Sequence, residues 1–337
     1  MAEPADIPGQ DAELLARVAQ WPRDYELVDL TVERLAELTH ETDLEFATAL
    51  FYDRARTQAT KAGWPIKASA PMESGPASVD IIGVVPGAFH GQHKHTGADG
   101  LKIVETVRGL APRVEVVPVR SFGQLQENAE TILNWLEERH GARILLASLS
   151  KGGADLKYAL ASPLAGVAFA NVVAWVSFSG IVQGTPLVAW LGARPLRSTA
   201  FRLLLRLQGH RAAVLDQLQR DDASPLAAWP PVPRHLRIVH VCGCPLRRHL
   251  RHRWAPRGYE RIAPLGPNDG GGILLGDLSR LPGIVFPIWG TDHYLQPPWD
   301  ITPLLRSVVL AASRGELRQA SLSAIQPTQT PASRSSA

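Results

Sequence analysis

The stretch Ile144-Leu-Leu-Ala-Ser-Leu-Ser150-Lys-Gly-Gly153 joins an apolar run to a serine and a pair of glycines, and helical sequence follows at once in Ala154-Asp-Leu-Lys-Tyr-Ala-Leu160. A serine at the tip of a tight strand-to-helix turn sits in a strained backbone conformation, and its neighbours two places away come too close to carry bulky side chains. Here those neighbours are Ser148 and Gly152. The pattern therefore predicts a buried strand ending in an exposed nucleophile, Ser150. The bland alternative is a Ser/Gly-rich helix start that Ser150 merely caps.

Working outward, the chain alternates strand-like and helix-like segments. Val79 to Val85 is an apolar run ending in Pro86-Gly87, followed by a helical stretch from Asp99 to Leu110. Val114 to Val119 reads as a strand, Leu125 to Arg139 as a helix, and Arg143 to Ala147 as the strand that feeds the turn. Val172 to Phe178, Leu236 to Val241 and Ile284 to Trp289 supply further strands, with a closing helix from Thr302 to Ser313. Continuous Val/Ile/Leu strands between helices specify a mostly parallel α/β sheet with helices on both faces. Residues 181–235 interrupt the alternation with mostly helical sequence and are expected to form a cap over the carboxyl ends of the strands, where such sheets bind ligands. Residues 1–62 read as a helical N-terminal extension, 63–78 as a Gly/Pro/Ser linker, 79–315 as the α/β domain and 316–337 as a disordered polar tail.

Composition narrows the class. A chain of 337 residues, 45% hydrophobic and 20% charged, suits one large globular unit. It has no uninterrupted apolar stretch of spanning length, and its start lacks a basic and apolar leader, so a cytoplasmic location is expected. Cys242 and Cys244 lie one residue apart on a strand, too close for an unstrained disulfide, and read as free buried thiols. Residues 1–50 hold twelve Asp or Glu against Arg17, Arg23 and Arg34, whereas residues 234–261 hold eight arginines against Glu260. The arginines lack the motifs of a nucleic-acid site, so no nucleic acid is expected; a solvated face, or docking against the acidic N-terminal segment, accounts for them.

The remaining chemistry falls at strand ends. Pro86-Gly87-Ala88-Phe89-His90-Gly91 can aim the Ala88 N–H toward Ser150. With the Lys151 N–H it would offer two donors to an oxyanion, each worth about 3 kcal/mol. His293, in Trp289-Gly-Thr-Asp-His-Tyr294, follows the last strand and can act as the base. Asp269, in Gly266-Pro-Asn-Asp-Gly-Gly-Gly272, can orient it, with Asp277 as a rival acid. Asp292 adjoins His293 in the chain and cannot easily fold back on it. His90, His93 and His95 with Asp99 lack the spacing of a metal centre and read as a polar loop, so no metal and no cofactor is implied. Ser148-Leu-Ser-Lys151 matches S-x-x-K, but that motif needs its serine at a helix start, and Ser148 belongs to the strand.

The chain order Ser150, Asp269, His293 resembles the α/β-hydrolase superfamily, and Asn268-Asp-Gly270 with Gly290-Thr-Asp-His293 is similar to the acid and histidine segments of bacterial lipases and esterases. Ser177-Phe-Ser-Gly180 with Gly184-Thr-Pro186 looks like the strand and turn that follow the nucleophile in such enzymes. The resemblance covers residues 79–315. It implies a serine esterase acting on a small-molecule or lipid-like ester with an apolar acyl group; an acyltransferase or thioesterase with the same triad, or a non-catalytic binding protein on the same fold, are the alternatives. Three departures stand out. Ser148 replaces the usual glycine, no strand pair precedes Val79, and Lys151 follows the nucleophile, where its charge either favours an acidic substrate or points to solvent. In the cap, Pro195 to Leu207 places Arg202 and Arg206 on one face and Leu203, Leu204 and Leu207 on another, so those leucines either pack over the pocket or meet a membrane surface transiently.

Overall fold

A computed structural model of the chain describes residues 9–22, 25–63, 79–90, 98–251, 255–296 and 300–313. All but the first residue of the expected linker at 63–78, and the whole of the expected tail at 316–337, lie outside them. Three helices come first: α1 (Gly9–Ala19), α2 (Val32–Glu41) and α3 (Leu44–Lys61). Thr31 and Asp43 cap α2 and α3, each accepting a backbone N–H three residues on. The sheet follows, with β1 (Ile81–Val85), α4 (Leu101–Val107), β2 (Arg113–Val116), α5 (Leu125–Glu137), β3 (Ile144–Leu149), α6 (Lys151–Leu160), α7 (Ala165–Ala168) and β4 (Val172–Phe178). Then come the cap helices α8 (Pro186–Gly192), α9 (Pro195–Leu207) and α10 (Ala213–Gln217), before β5 (Arg237–Cys244), α11 (Ala255–Ile262), β6 (Ile284–Trp289) and α12 (Thr302–Ser313).

The six strands are all parallel, in the order β2-β1-β3-β4-β5-β6. Among the described residues no strand pair precedes β1. The order reverses between β1 and β3: the chain goes outward from β1 to β2, returns to β3, and then proceeds the other way. A crevice opens where loops diverge at such a reversal, and it is the loops after β1 and β3 that meet there.

Period-two alternation distributes the strand residues between two faces. Ile82 and Val84 of β1, with Val239 and Val241 of β5, pack under α4 and α12. Ile81 and Val85 face the other way, onto Ile132 and Leu133 of α5 and Leu156 of α6. On that second face α5 and α6 cover only the β1 to β4 half. Phe46, Leu50 and Phe51 of α3 cover the rest, together with Cys242, Cys244 and Val285 in one core. Both cysteines are free and buried. Each such fully buried leucine or phenylalanine is worth roughly 1.5–3 kcal/mol, so α3 is an integral wall of the sheet.

The acidic start of the chain meets one part of the arginine-rich stretch. Asp11 of α1 is buried and accepts from Arg248 at 2.6 Å and from Trp289 Nε1 at 2.9 Å, and lies 2.7 Å from His249 Nε2. Arg248 also reaches Glu45 of α3. Burial opposes ionisation of Asp11, but these partners outweigh it and hold the carboxyl below its ordinary range.

Two ties fix the cap to the core. Lys157 of α6 is buried and donates to the carbonyls of Val182 and Leu226 at 2.8 and 2.5 Å, while Arg220 grips Asp277 with both carboxylate oxygens 2.9 Å from its Nε. Burial pushes the Lys157 ammonium down to about 7. Cap packing corrects one expectation: Leu203, Leu204 and Leu207 of α9 do not cover the pocket but are exposed, and it is Leu205 that turns inward onto Val188, Val214 and Leu215. Arg202 pairs with Asp216 and is not a free cation.

Candidate active site

The turn after β3 carries Ser150 at φ 46° and ψ −115°, a conformation that non-glycine residues rarely adopt. Neighbouring backbone enforces it. The Ser150 N–H donates to Phe178 O and the Ser150 carbonyl accepts from Ile181 N, both at 3.0 Å, so the chain leaving β4 clamps the turn. The need for small neighbours is equally local. A Cβ on Gly152 would lie 2.5 Å from Val85 O and 2.7 Å from Pro86 O, backbone atoms that cannot swing away. Gly152→Ala is therefore expected to destabilise the protein by about 1–3 kcal/mol or more, read as a lower urea midpoint, and to lower activity with it because the turn must shift. Ser148, where a glycine is usual, has room for its hydroxyl because Oγ accepts the indole N–H of the buried Trp175 at 2.8 Å.

The structure brings Ser150, His293 and Asp269 into one hydrogen-bonded line. His293 Nε2 lies 2.9 Å from Ser150 Oγ, and Nδ1 lies 2.6 Å from Asp269 Oδ2. Both the imidazole and the carboxylate are buried. The other oxygen of Asp269 accepts the N–H groups of Gly271, Gly272 and Ile273 at 3.1, 2.9 and 3.1 Å, which fixes the carboxylate as an acceptor aimed at the ring. Gly271 allows that loop to lie flat on the imidazole, since a Cβ there would sit 2.3 Å from His293 Cβ. Burial works against the imidazolium, but Asp269, with Asp292 beyond it, outweighs burial and raises His293 above the ordinary histidine value of 6.5.

The other candidates separate clearly. Asp277 is held by Arg220 and does not contact the histidine. Asp292 turns back on its own loop, accepting the N–H groups of Tyr294 and Gln296 at 2.8 and 2.9 Å. Lys151 requires a correction: its side chain is neither solvated nor facing a substrate. It is buried and paired with Asp155 one helical turn on, at 2.7 and 2.9 Å, and Asn128 donates to the same carboxylate. The Lys151 backbone N–H, at the first helical residue of α6, has no acceptor within the helix. The Gly87-Ala88 turn crosses just above the serine: Gly87 is anchored by its N–H to Ala98 O at 2.8 Å, and a Cβ on it would lie 3.3 Å from Ser150 Cβ. His90 Nδ1 lies 2.8 Å from Gly87 O, while His93 and His95 fall outside the described residues. Among the described residues no group of three His, Cys, Asp or Glu side chains could hold a metal.

Beside Ser150 and His293 opens a recess whose walls are Leu149, Phe178, Ile103, Leu295 and Ile301, with Lys102 on its exposed side. Sequence reasoning missed this lining, because the ends of β3 and β4, helix α4 and the segments around Leu295 and Ile301 converge on one space only in three dimensions; Leu149 and Phe178 lie in motif stretches whose reading rests on their serines and glycines. Tyr294 also went unread; its ring packs edge-on against His293, 5.0 Å between centroids.

No protein-family model matches the chain, and no curated protein sequence matches it. Among solved structures it is similar to a metagenomic carboxyl esterase, with 18% identity over 75% of this chain and 79% of that one and a TM-score of 0.52. It is also similar to the mature form of a Bacillus licheniformis lipase, with 16% identity over 72% of this chain and 96% of that one and a TM-score of 0.51. The chain has the α/β-hydrolase fold.

Proposed function

We propose that this α/β-hydrolase-fold protein is a serine hydrolase that cleaves a carboxylic ester through an acyl-enzyme, with Ser150 as nucleophile, His293 as general base and acid, and Asp269 as the carboxylate that orients the ring. The observation that carries this reading is the unbroken line from Ser150 Oγ through the imidazole to Asp269, at 2.9 and 2.6 Å. Ser150 Oγ attacks the ester carbonyl while His293 Nε2 takes its proton. The oxygen that becomes negative is stabilised by the N–H groups of Lys151 and Ala88, and His293 then protonates the departing alkoxide. Water, deprotonated by the same nitrogen, attacks the acyl carbonyl and releases Ser150.

The apolar walls of the recess favour a hydrocarbon acyl group, for which every CH₂ removed from water contributes about 0.8 kcal/mol. That a carboxyl esterase and a lipase share the fold supports ester cleavage as the reaction class. A fluorophosphonate probe tests the reading directly, because it traps a nucleophilic serine without any knowledge of the natural substrate. Peptide mapping is expected to place the adduct on Ser150 and to find none in His293→Ala. Undamaged protein that leaves Ser150 unlabelled would falsify the assignment.

A further inference from the structure

The cap carries a face that this chemistry does not use. On α9, Leu196, Ala200, Leu203 and Leu207 follow one another at helical spacing and form a single stripe. The stripe is open: Leu196 is 87% exposed, Leu203 53% and Leu207 77%. A surface helix ordinarily turns its apolar face inward, so a stripe of leucines facing water while the helix is anchored by Leu205 marks a surface built to be covered.

Charge around the stripe specifies what covers it. From Leu156 to Leu215 the chain contains no aspartate or glutamate. Arg194 stacks on Trp190 at 3.9 Å, and Arg261, reaching over from α11, lies on the same ring at 4.1 Å, with Arg197 at 5.9 Å. Burial lowers the Arg261 guanidinium, and the nearby charges of Arg197, Arg257 and Arg194 lower it further. Cations crowded in this way repel one another, and an apposed anion relieves the repulsion. Arg206 adds an exposed charge beside Leu207. Pairing with a second copy of the chain about a two-fold axis would instead set this arginine cluster against its own image.

We propose that the outer face of α9 docks the protein onto an anionic lipid bilayer, with Leu196, Leu203 and Leu207 entering the acyl boundary and Arg194, Arg197, Arg206 and Arg261 facing phosphate headgroups. Leucines on one side and arginines around them are what an interfacial helix requires, the first supplying burial and the second attraction to the surface charge. The docking does not depend on the hydrolase reading, since it is measured without turnover.

Flotation of the full chain with phosphatidylcholine vesicles, with or without phosphatidylglycerol, tests it. Partitioning onto the phosphatidylglycerol vesicles is expected to exceed that onto pure phosphatidylcholine by about tenfold or more and to fall at high salt. Leu203→Ser with Leu207→Ser should lower it about tenfold, and Arg197→Glu with Arg206→Glu roughly a hundredfold. All four side chains are exposed, so the thermal midpoint of each variant should stay near that of the parent. Equal or absent binding to both vesicle types overturns the proposal. So does a concentration-dependent dimer, seen by sedimentation velocity, that the leucine pair dissolves while vesicle binding is missing.

Discussion

Ser150→Ala is expected to lower kcat on p-nitrophenyl butyrate roughly a millionfold, because on the proposed mechanism it removes the attacking oxygen and leaves the histidine and carboxylate without a proton to move. The fold should be untouched. Alanine at φ 46° is as strained as serine there, and the clamps from Phe178 O and Ile181 N act on the backbone, so the thermal midpoint should barely change. Ser150→Gly gives the complementary reading. Glycine tolerates positive φ, and this variant should be equally inactive yet more stable by about 1 kcal/mol. Strain released by removing the nucleophile would show that the turn holds its serine in place at a cost in stability. A tenth of the parent rate surviving in clean Ser150→Ala protein would place the chemistry elsewhere.

Local rules made much of this molecule legible. The strand-turn-helix at Ile144 to Leu160 could be read because steric demands at a tight turn act between residues adjacent in sequence. The positions of Asp269 and His293 could be read because loops after parallel strands all open on the same edge. Side-chain fates set by distant packing could not. Lys151 looks like a surface lysine in sequence, yet Asp155 and Asn128 draw it into the core. Leu203 and Leu207 look like core residues, yet the helix buries Leu205 instead. The role of residues 9–61 was hidden for the same reason: nothing in α3 announces that one face of β5 and β6 needs a wall. The choice between Asp269 and Asp277 also waited on tertiary structure, since it turns on which of them Arg220 occupies.

Asp269→Asn is expected to cost about ten-thousandfold in kcat and, more tellingly, to move the acid limb of the pH profile. An asparagine can still accept the three loop N–H groups through Oδ1, so the loop should hold its shape. Its amide then presents a donor to His293 Nδ1, which favours the tautomer protonated on Nε2 and turns the base away from Ser150. The same change removes the charge that raises His293. Only the neutral ring accepts the serine proton, so on the proposed mechanism kcat/KM of the parent protein is expected to rise with pH through a value above the ordinary histidine value of 6.5, the folded imidazole being raised. Without Asp269 the dominant remaining influence is burial, which disfavours the imidazolium, and the acid limb should shift to lower pH even as the plateau collapses. Asp277→Asn separates position from charge. Its carboxylate serves Arg220, so that variant should lose thermal stability while keeping kcat within about tenfold and the acid limb in place. If Asp277→Asn is the more damaging change, or if the limb moves with Asp277 and not with Asp269, the orienting carboxylate is the other one.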